Sequence, residues 1–163
     1  MSTKIKKGVI GALLNEYKNV LEDLKNNISD ISDSELALIA DTKTANKDCV
    51  SVQSILTHII LCGTYYLTMI DIHRGNVNSP WPSRIYYDTV DEYISALDKL
   101  FKNTVLFFED VSNNEMAQFS PDKKLVTFWG QYYDYEQLME HAIVHVSRHR
   151  RQIQMFKLKF NNK

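Results

Sequence analysis

Three histidines, His141, His145 and His149, follow one another at intervals of four residues near the C-terminal end of the sequence. On an α-helix, residues four apart lie on nearly the same face and about 6 Å apart along the axis. Two imidazoles at that spacing can bind one zinc ion or a similar cation. A fourth histidine, His58, lies in a long apolar segment and is expected to face the protein interior. The pattern predicts a metal ion bound by His58 and two of the later histidines.

The same residues allow more than one interpretation. Three protein ligands leave a coordination position open for water or substrate, as in catalytic metal sites. Alternatively, the later histidines are ordinary polar residues at the edge of the core. Cys62 and Tyr65 share the helix face of His58. Cys62 is therefore either a fourth ligand or a small buried residue, and Tyr65 either donates a hydrogen bond to a metal-bound group or packs in the core.

The segment that carries the three histidines has the features of a long helix. Asp134 and Gln137 have the spacing of a capping box, and neither glycine nor proline interrupts the sequence after Gln131. Apolar residues recur close to a period of 3.6, at Tyr135, Leu138, Met139, Ala142, Val146, Ile153 and Phe156. A helix is therefore expected from Asp134 to Phe160.

The rest of the sequence also shows mainly helical periodicity. Helices are expected over Ile5–Ile28, Glu35–Ala40, Val50–His73 and the segment from Thr89 to Val111. Ser32 with Glu35 and Thr89 with Glu92 form capping-box patterns before two of them. The polar residues 41–48 are expected to form a loop, and residues 74–87 a connection. Residues 113–133 are expected to form a long connection with a short extended pair within residues 118–129. Four long amphipathic helices predict an all-α four-helix bundle, in a single domain over residues 1–163.

Composition limits the classes of partner. The net charge is −1, which gives no electrostatic argument for binding nucleic acid. No apolar run is expected to span a membrane, and no small-residue cleavage site follows the apolar stretch near the N-terminus. The two cysteines, Cys49 and Cys62, do not form a disulfide framework. A cytoplasmic protein with reduced cysteines, acting on a small molecule, is expected.

Several residues in these segments resemble the DinB/YfiT-like superfamily of metalloenzymes. The resemblance rests on the sequence Gln-Ser-Ile-Leu-Thr-His58-Ile, on Trp129-Gly130-Gln131, and on the run from Glu140 to Ile153. The last of these contains His-x-x-x-His followed by Arg-Arg-Gln-Ile, where the family usually has Arg-Gly-Gln-Ile. The resemblance covers nearly the whole chain, and the replacement of the glycine by Arg151 does not affect the histidines.

The resemblance implies a four-helix bundle in up-down-down-up order with a divalent ion at one end. By position, His58, His145 and His149 resemble the family's metal ligands, whereas His141 ranks fourth. Zinc and nickel both suit imidazole ligands. Characterised members of the family include thiol S-transferases that use bacillithiol or mycothiol, and an isomerase that uses a thiol cofactor. A low-molecular-weight thiol is therefore a second expected cofactor.

Other residues are candidates for the surroundings of the metal. Glu140 and Gln152 are expected to accept hydrogen bonds from the histidines of the last helix. Trp129 either forms the wall of a pocket or anchors the connection in the core. Arg74 and Arg84 either bind an anionic thiol or are solvated.

Two classes of function remain open on this basis. One is a metal-dependent enzyme, either a thiol S-transferase or a related hydrolase, in which the ion activates a thiol or water. The other is a non-catalytic bundle that binds a metal or small ligand in a stress response. No clear general base accompanies the histidines, which keeps the second class open.

The chain is expected to form a homodimer with two-fold symmetry, because its second and last long helices offer more apolar surface than one core needs. Light scattering at micromolar concentration should give twice the chain mass of 19.0 kDa. A monomer under those conditions would contradict this prediction.

Overall fold

The fold was analysed in a computed structural model, which describes residues 6–161. The chain is 66% helical, with six α-helices and one two-stranded sheet in the described part. In chain order the elements are α1 Val9–Ile28, α2 Asp33–Leu36, α3 Val52–His73, α4 Val90–Glu109, α5 Asn113–Met116, β1 Leu125–Val126, β2 Tyr132–Tyr133 and α6 Tyr135–Asn161. Short 3-10 turns lie at Lys47–Cys49 and Pro121–Lys123. The all-α class is therefore confirmed.

The predicted capping boxes set the starts of the helices. The Glu92 N–H donates to Thr89 Oγ1 over 3.2 Å, and the Thr89 N–H donates to Glu92 Oε2 over 3.1 Å. At α6, the Gln137 N–H donates to Asp134 Oδ1 over 2.9 Å, and the Asp134 N–H donates to Gln137 Oε1 over 3.1 Å. Both helices therefore begin within one residue of their expected starts.

The first helix begins at Val9 rather than at Ile5, which lies outside the described residues. Gly8 has φ +85°, a conformation that stops helix extension towards the N-terminus. The Oδ1 atom of Asn113 accepts a hydrogen bond from the Ile10 N–H over 3.1 Å. A side chain that is distant in sequence thus satisfies a free N–H group of the first turn, which no local pattern could indicate.

Four long helices enclose the core. Helix α1 packs against α4 and α6, and α3 packs against the same two helices. Their apolar faces supply most of the fully buried side chains, among them Leu14, Leu24, Ile55, Ile59, Ile70, Leu97 and Phe108. Because α3 and α6 lie against each other, the face of α3 that carries His58 can meet the face of α6 that carries the histidine series.

The predicted connection over residues 113–133 contains more structure than expected. It holds α5 and a small antiparallel hairpin, in which Leu125 pairs with Tyr133 and Val126 with Tyr132. The expected extended pair is therefore present, but β2 lies beyond the predicted range. A tight turn over residues 127–131 joins the strands, and Gly130 within it has φ +80°.

Among the described residues, α3 is long and apolar enough to cross a membrane, contrary to the expectation from the sequence. However, 56% of its most apolar window is buried against the other helices. The central helix of a protein core meets the same criteria of length and composition, so this finding is weak support for a membrane span.

Gly63 in α3 lies at a close approach between helices. A Cβ atom at this position would lie 2.8 Å from Leu100 Cδ2 and 2.8 Å from the Tyr17 hydroxyl oxygen. We therefore expect Gly63→Ala to lower the free energy of unfolding by about 1–3 kcal/mol, although alanine favours a helix. Chemical denaturation should measure the change. As a control, Ser95→Ala at an exposed position of α4 should change stability by less than about 0.5 kcal/mol. An unchanged or higher stability of Gly63→Ala would contradict this packing.

Candidate metal centre

The three histidines that resemble metal ligands meet between α3 and α6. The Nε2 atom of His58 lies 3.0 Å from Nε2 of His145, and the Nε2 atom of His149 lies 3.2 Å from the same atom. His149 is buried, and the other two are partly buried. Side chains 87 residues apart in the sequence, those of His58 and His145, therefore point ring nitrogens at each other.

The distances between these nitrogens fit a shared ion. Two nitrogens bound to one tetrahedral zinc ion at about 2.0–2.1 Å lie roughly 3.3 Å apart. The two observed separations are slightly shorter, and only small movements of the rings would admit an ion. The structure thus brings together the three predicted ligands in an arrangement that suits a divalent cation.

Hydrogen bonds on the outer side of two rings determine which ring nitrogen carries the proton. His58 Nδ1 lies 3.1 Å from Asp48 Oδ2, and a carboxylate can only accept. His149 Nδ1 lies 3.1 Å from Gln152 Oε1. The Gln152 amide nitrogen donates to the Cys49 carbonyl over 3.4 Å, which fixes the orientation of the amide. Both histidines therefore carry their proton on Nδ1 and direct the lone pair of Nε2 towards His145.

Burial keeps the imidazoles uncharged. Loss of hydration lowers the pKa of His145 to about 3 and that of His149 to about 4, and the neighbouring histidines also lower the pKa of His145. Burial lowers the pKa of His58 as well, although the nearby Asp48 carboxylate has the opposite effect. At neutral pH all three rings are thus in the form that binds metals.

The neutral rings cannot satisfy one another by hydrogen bonding. His58 and His149 both present the lone pair of Nε2, and the Nε2 of His145 can donate one proton at most. In at least one of the two short Nε2–Nε2 contacts with His145, two lone pairs therefore face each other and repel. A cation between the rings would remove that repulsion, so the chemistry of the donor set fits a metal ion.

Cys62 is the remaining candidate ligand in this cluster. Its Sγ atom lies 3.6 Å from both ring nitrogens of His58. One ligand atom from each of His58, Cys62 and His145 lies within 4.8 Å of the others, so this group could hold a metal ion. Burial raises the pKa of Cys62 to about 11, which keeps it a thiol unless a cation lies beside it.

Sequence reasoning missed the carboxylate of this site. Asp48 was expected only to form part of a polar loop, but it accepts from His58 and also from Arg84 Nη1 over 2.6 Å. Burial alone would raise the pKa of Asp48, but the hydrogen bond from Arg84 and the nearby His58 hold it below its ordinary value. No periodicity marks Asp48, and the only signal in the sequence is a carboxylate just before the helix that carries His58.

Two other predicted residues lie at one side of the cluster. The His141 ring stacks on the Trp129 indole with centroids 4.8 Å apart, and it lies 6.0 Å from the ring of His145. Tyr66, rather than the predicted Tyr65, contacts the cluster, with its ring centroid 6.2 Å from that of His145. His141 thus extends the row of histidines towards the surface.

The remaining candidates have other partners or are exposed. Tyr65 packs against other aromatic rings, and Glu140 is exposed. Arg74 forms an ion pair with Glu115, and its guanidinium also donates to the Asp110 carbonyl. His73 Nδ1 lies 2.7 Å from the Tyr135 hydroxyl at the other end of α3. Of the residues expected to support the metal ligands, Gln152 alone has a hydrogen bond to a histidine of the cluster in the described structure.

The role of Asp48 can be tested through metal affinity. Asp48→Ala should weaken zinc binding by about 10–100-fold, because the carboxylate orients His58 and increases the basicity of its ring. Competition with a chromophoric chelator measures the affinity. Asp71→Ala, which removes a carboxylate near the far end of α3, should leave the affinity unchanged. Equal affinities of the Asp48 and Asp71 variants would contradict the role of Asp48.

Comparison of the chain with protein-family models and with curated proteins gives no match. The resemblance to the DinB/YfiT-like superfamily therefore rests on the spacing of the histidines and on the motifs around them.

Proposed function

We propose that this protein is a metal-dependent enzyme of the DinB/YfiT-like type, which uses a zinc or nickel ion at His58, His145 and His149 to activate a thiol. The observation that carries the proposal is that the Nε2 atoms of His58 and His149 lie 3.0 Å and 3.2 Å from the Nε2 atom of His145. Hydrogen bonds from His58 Nδ1 to Asp48 and from His149 Nδ1 to Gln152 fix the orientation of two of the rings. Three protein ligands leave a position open for exchange, which is typical of catalytic sites.

The proposal includes an up-down-down-up order of the four long helices. Contacts at both ends of each packed pair of helices support this order. His73–Tyr135 and His58–His145 support antiparallel α3 and α6, and Thr57–Tyr93 and Arg74–Asp110 support parallel α3 and α4. For α1, the contacts are Asn27–Lys157 with α6 and Lys25–Asp98 with α4. Near the start of α1, Ile10 lines one small cavity with Met139 of α6 and Phe108 of α4, which supports α1 parallel to α6 and antiparallel to α4.

An ion bound by the three histidines would lower the pKa of a bound thiol or water, so that a nucleophile is available at neutral pH. The chain's own residues position that chemistry. Asp48 and Gln152 hold His58 and His149 in one tautomer, and the partial burial of the rings limits access of bulk water. Thiol transfer then needs no general base, because the proton of the thiol is released to solvent.

Cys62 supports a second candidate function. If its thiolate completed the coordination, the site would have four protein ligands and no open position, as in structural zinc sites. The protein would then bind a metal without catalysis, as a stress-response or sensor protein. Cys62→Ser separates the two functions, because it should preserve turnover at an open site but weaken metal binding at a closed one.

The experiment is conjugation of a chloronitrobenzene with several low-molecular-weight thiols. The thiol sulfur forms a bond to the ring carbon, chloride leaves, and the thiol proton goes to solvent. Chelation of the metal, or His149→Ala, should reduce the rate at least about 100-fold, because each removes activation of the thiol. His73→Ala should retain the rate, because His73 lies at the other end of α3.

A rate that survives both chelation and His149→Ala would reject metal-activated thiol chemistry. Stoichiometric metal in the native protein without turnover of any thiol, together with weaker metal binding in Cys62→Ser, would instead favour the non-catalytic function.

A further inference from the structure

The turn between β1 and β2 connects α3 to α6 beside the histidine cluster. The Phe128 ring meets the Tyr65 ring of α3 edge-on, with centroids 4.3 Å apart. The next residue, Trp129, stacks on His141 of α6 at 4.8 Å and an interplanar angle of 21°. Adjacent side chains of one turn therefore contact both helices that supply the metal ligands.

The connection between α3 and α4 contacts the same two rings, those of Tyr65 and Phe128. Trp81 packs on Tyr65 with centroids 4.5 Å apart and lies 5.9 Å from Phe128. Three residues later, Arg84 binds Asp48, which in turn accepts from His58. Two segments that are distant in the sequence thus place aromatic rings at the edge of one site.

These rings remain open to solvent. Trp81 is 50% exposed, Phe128 is 61% exposed and Trp129 is 42% exposed. Large apolar side chains that served only to anchor the two segments would be buried, whereas a cluster of exposed rings is typical of a binding surface. A row of rings connects this surface to the candidate metal ligands. Trp129 stacks on His141, and the His141 ring is nearly parallel to the His145 ring, with these two centroids 6.0 Å apart.

We propose that Tyr65, Trp81, Phe128 and Trp129 form an aromatic wall that binds the substrate of the metal centre, and that this substrate is a small molecule with a flat aromatic ring. The proposal rests on the proposed function, because it names the substrate class of the same site.

The shape of the site favours a slim, flat substrate over a protein partner. The side chains of His58 and His145 are partly buried and that of His149 is buried, so a reacting atom must reach their nitrogens on a narrow group. Flat rings interact with other aromatic rings by stacking or by edge-to-face contact, which adds to the free energy of apolar burial. A saturated ring of the same size gains the burial but loses much of this directional contact.

A fluorescence titration on metal-free protein tests the wall directly. The chain has two tryptophans, Trp81 and Trp129, and the proposal places both at the binding site. The probe is 4-nitrobenzamide, whose nitroaromatic ring quenches indole fluorescence on contact. Benzamide and cyclohexanecarboxamide serve as competitors, because they share the amide and the ring size but only the former is flat. Benzamide should displace the probe at a concentration about five- to tenfold lower than the concentration of cyclohexanecarboxamide that displaces it.

Variants of matched type locate the binding site. Phe128→Ala should weaken probe binding by about five- to tenfold. Phe119→Ala removes the same side chain from the same connection, where it is 97% exposed, and should change binding less than twofold. Trp129→Phe leaves Trp81 as the reporter and preserves an aromatic ring, so quenching should persist.

Three outcomes would overturn the proposal: no quenching by the probe, equal competition by the two carboxamides, or equal effects of Phe128→Ala and Phe119→Ala. Conversion of a dimer to a monomer by Phe128→Ala would also overturn it, because a second copy of the chain would then cover the wall. The titration uses metal-free protein and measures no turnover, so its result is independent of whether the thiol chemistry is correct.

Discussion

The structure around the candidate centre depends on one electrostatic constraint: three neutral imidazoles are packed so that the Nε2 atoms of His58 and His149 each lie about one hydrogen-bond length from the Nε2 atom of His145. Each ring has a single proton to donate, and two of the three protons are already bonded outwards. This arrangement costs free energy in the absence of a cation, and other parts of the fold maintain it. The 3-10 turn supplies Asp48, α6 supplies Gln152, and the segment after α3 supplies Arg84.

The parts of the fold that the sequence predicted are those determined by local interactions. Capping boxes such as Thr89 with Glu92 involve residues three apart, and helical periodicity involves residues within two turns. The series His141, His145 and His149 is local in the same sense. Its alignment on one face therefore followed from spacing alone, and the structure places two of these three rings against His58.

The parts that the sequence could not predict depend on contacts between distant residues. The first turn of α1 is capped by Asn113, which accepts a hydrogen bond from the Ile10 N–H although it lies more than 100 residues away. Asp48 was indistinguishable from other acidic loop residues until the fold brought it to His58. The same holds for Phe128, whose side chain has a partner only because the hairpin lies across α3. Long-range packing selects these residues from many of the same type, and neither spacing nor composition identifies them.

The position of the Cys62 sulfur bears on whether Cys62 or an external thiol would be the fourth ligand of a bound ion. Its sulfur is equally distant from the two ring nitrogens of His58, so it lies beside the ring and not along the lone pair of Nε2. An ion shared by His58 and His145 would lie along that lone pair. To bind the same ion, the Cys62 sulfur would have to move towards it and lose its proton, which burial opposes. Under the proposed function, the fourth position is therefore open to an external thiol as long as Cys62 keeps its proton and remains a neighbour of the ligands.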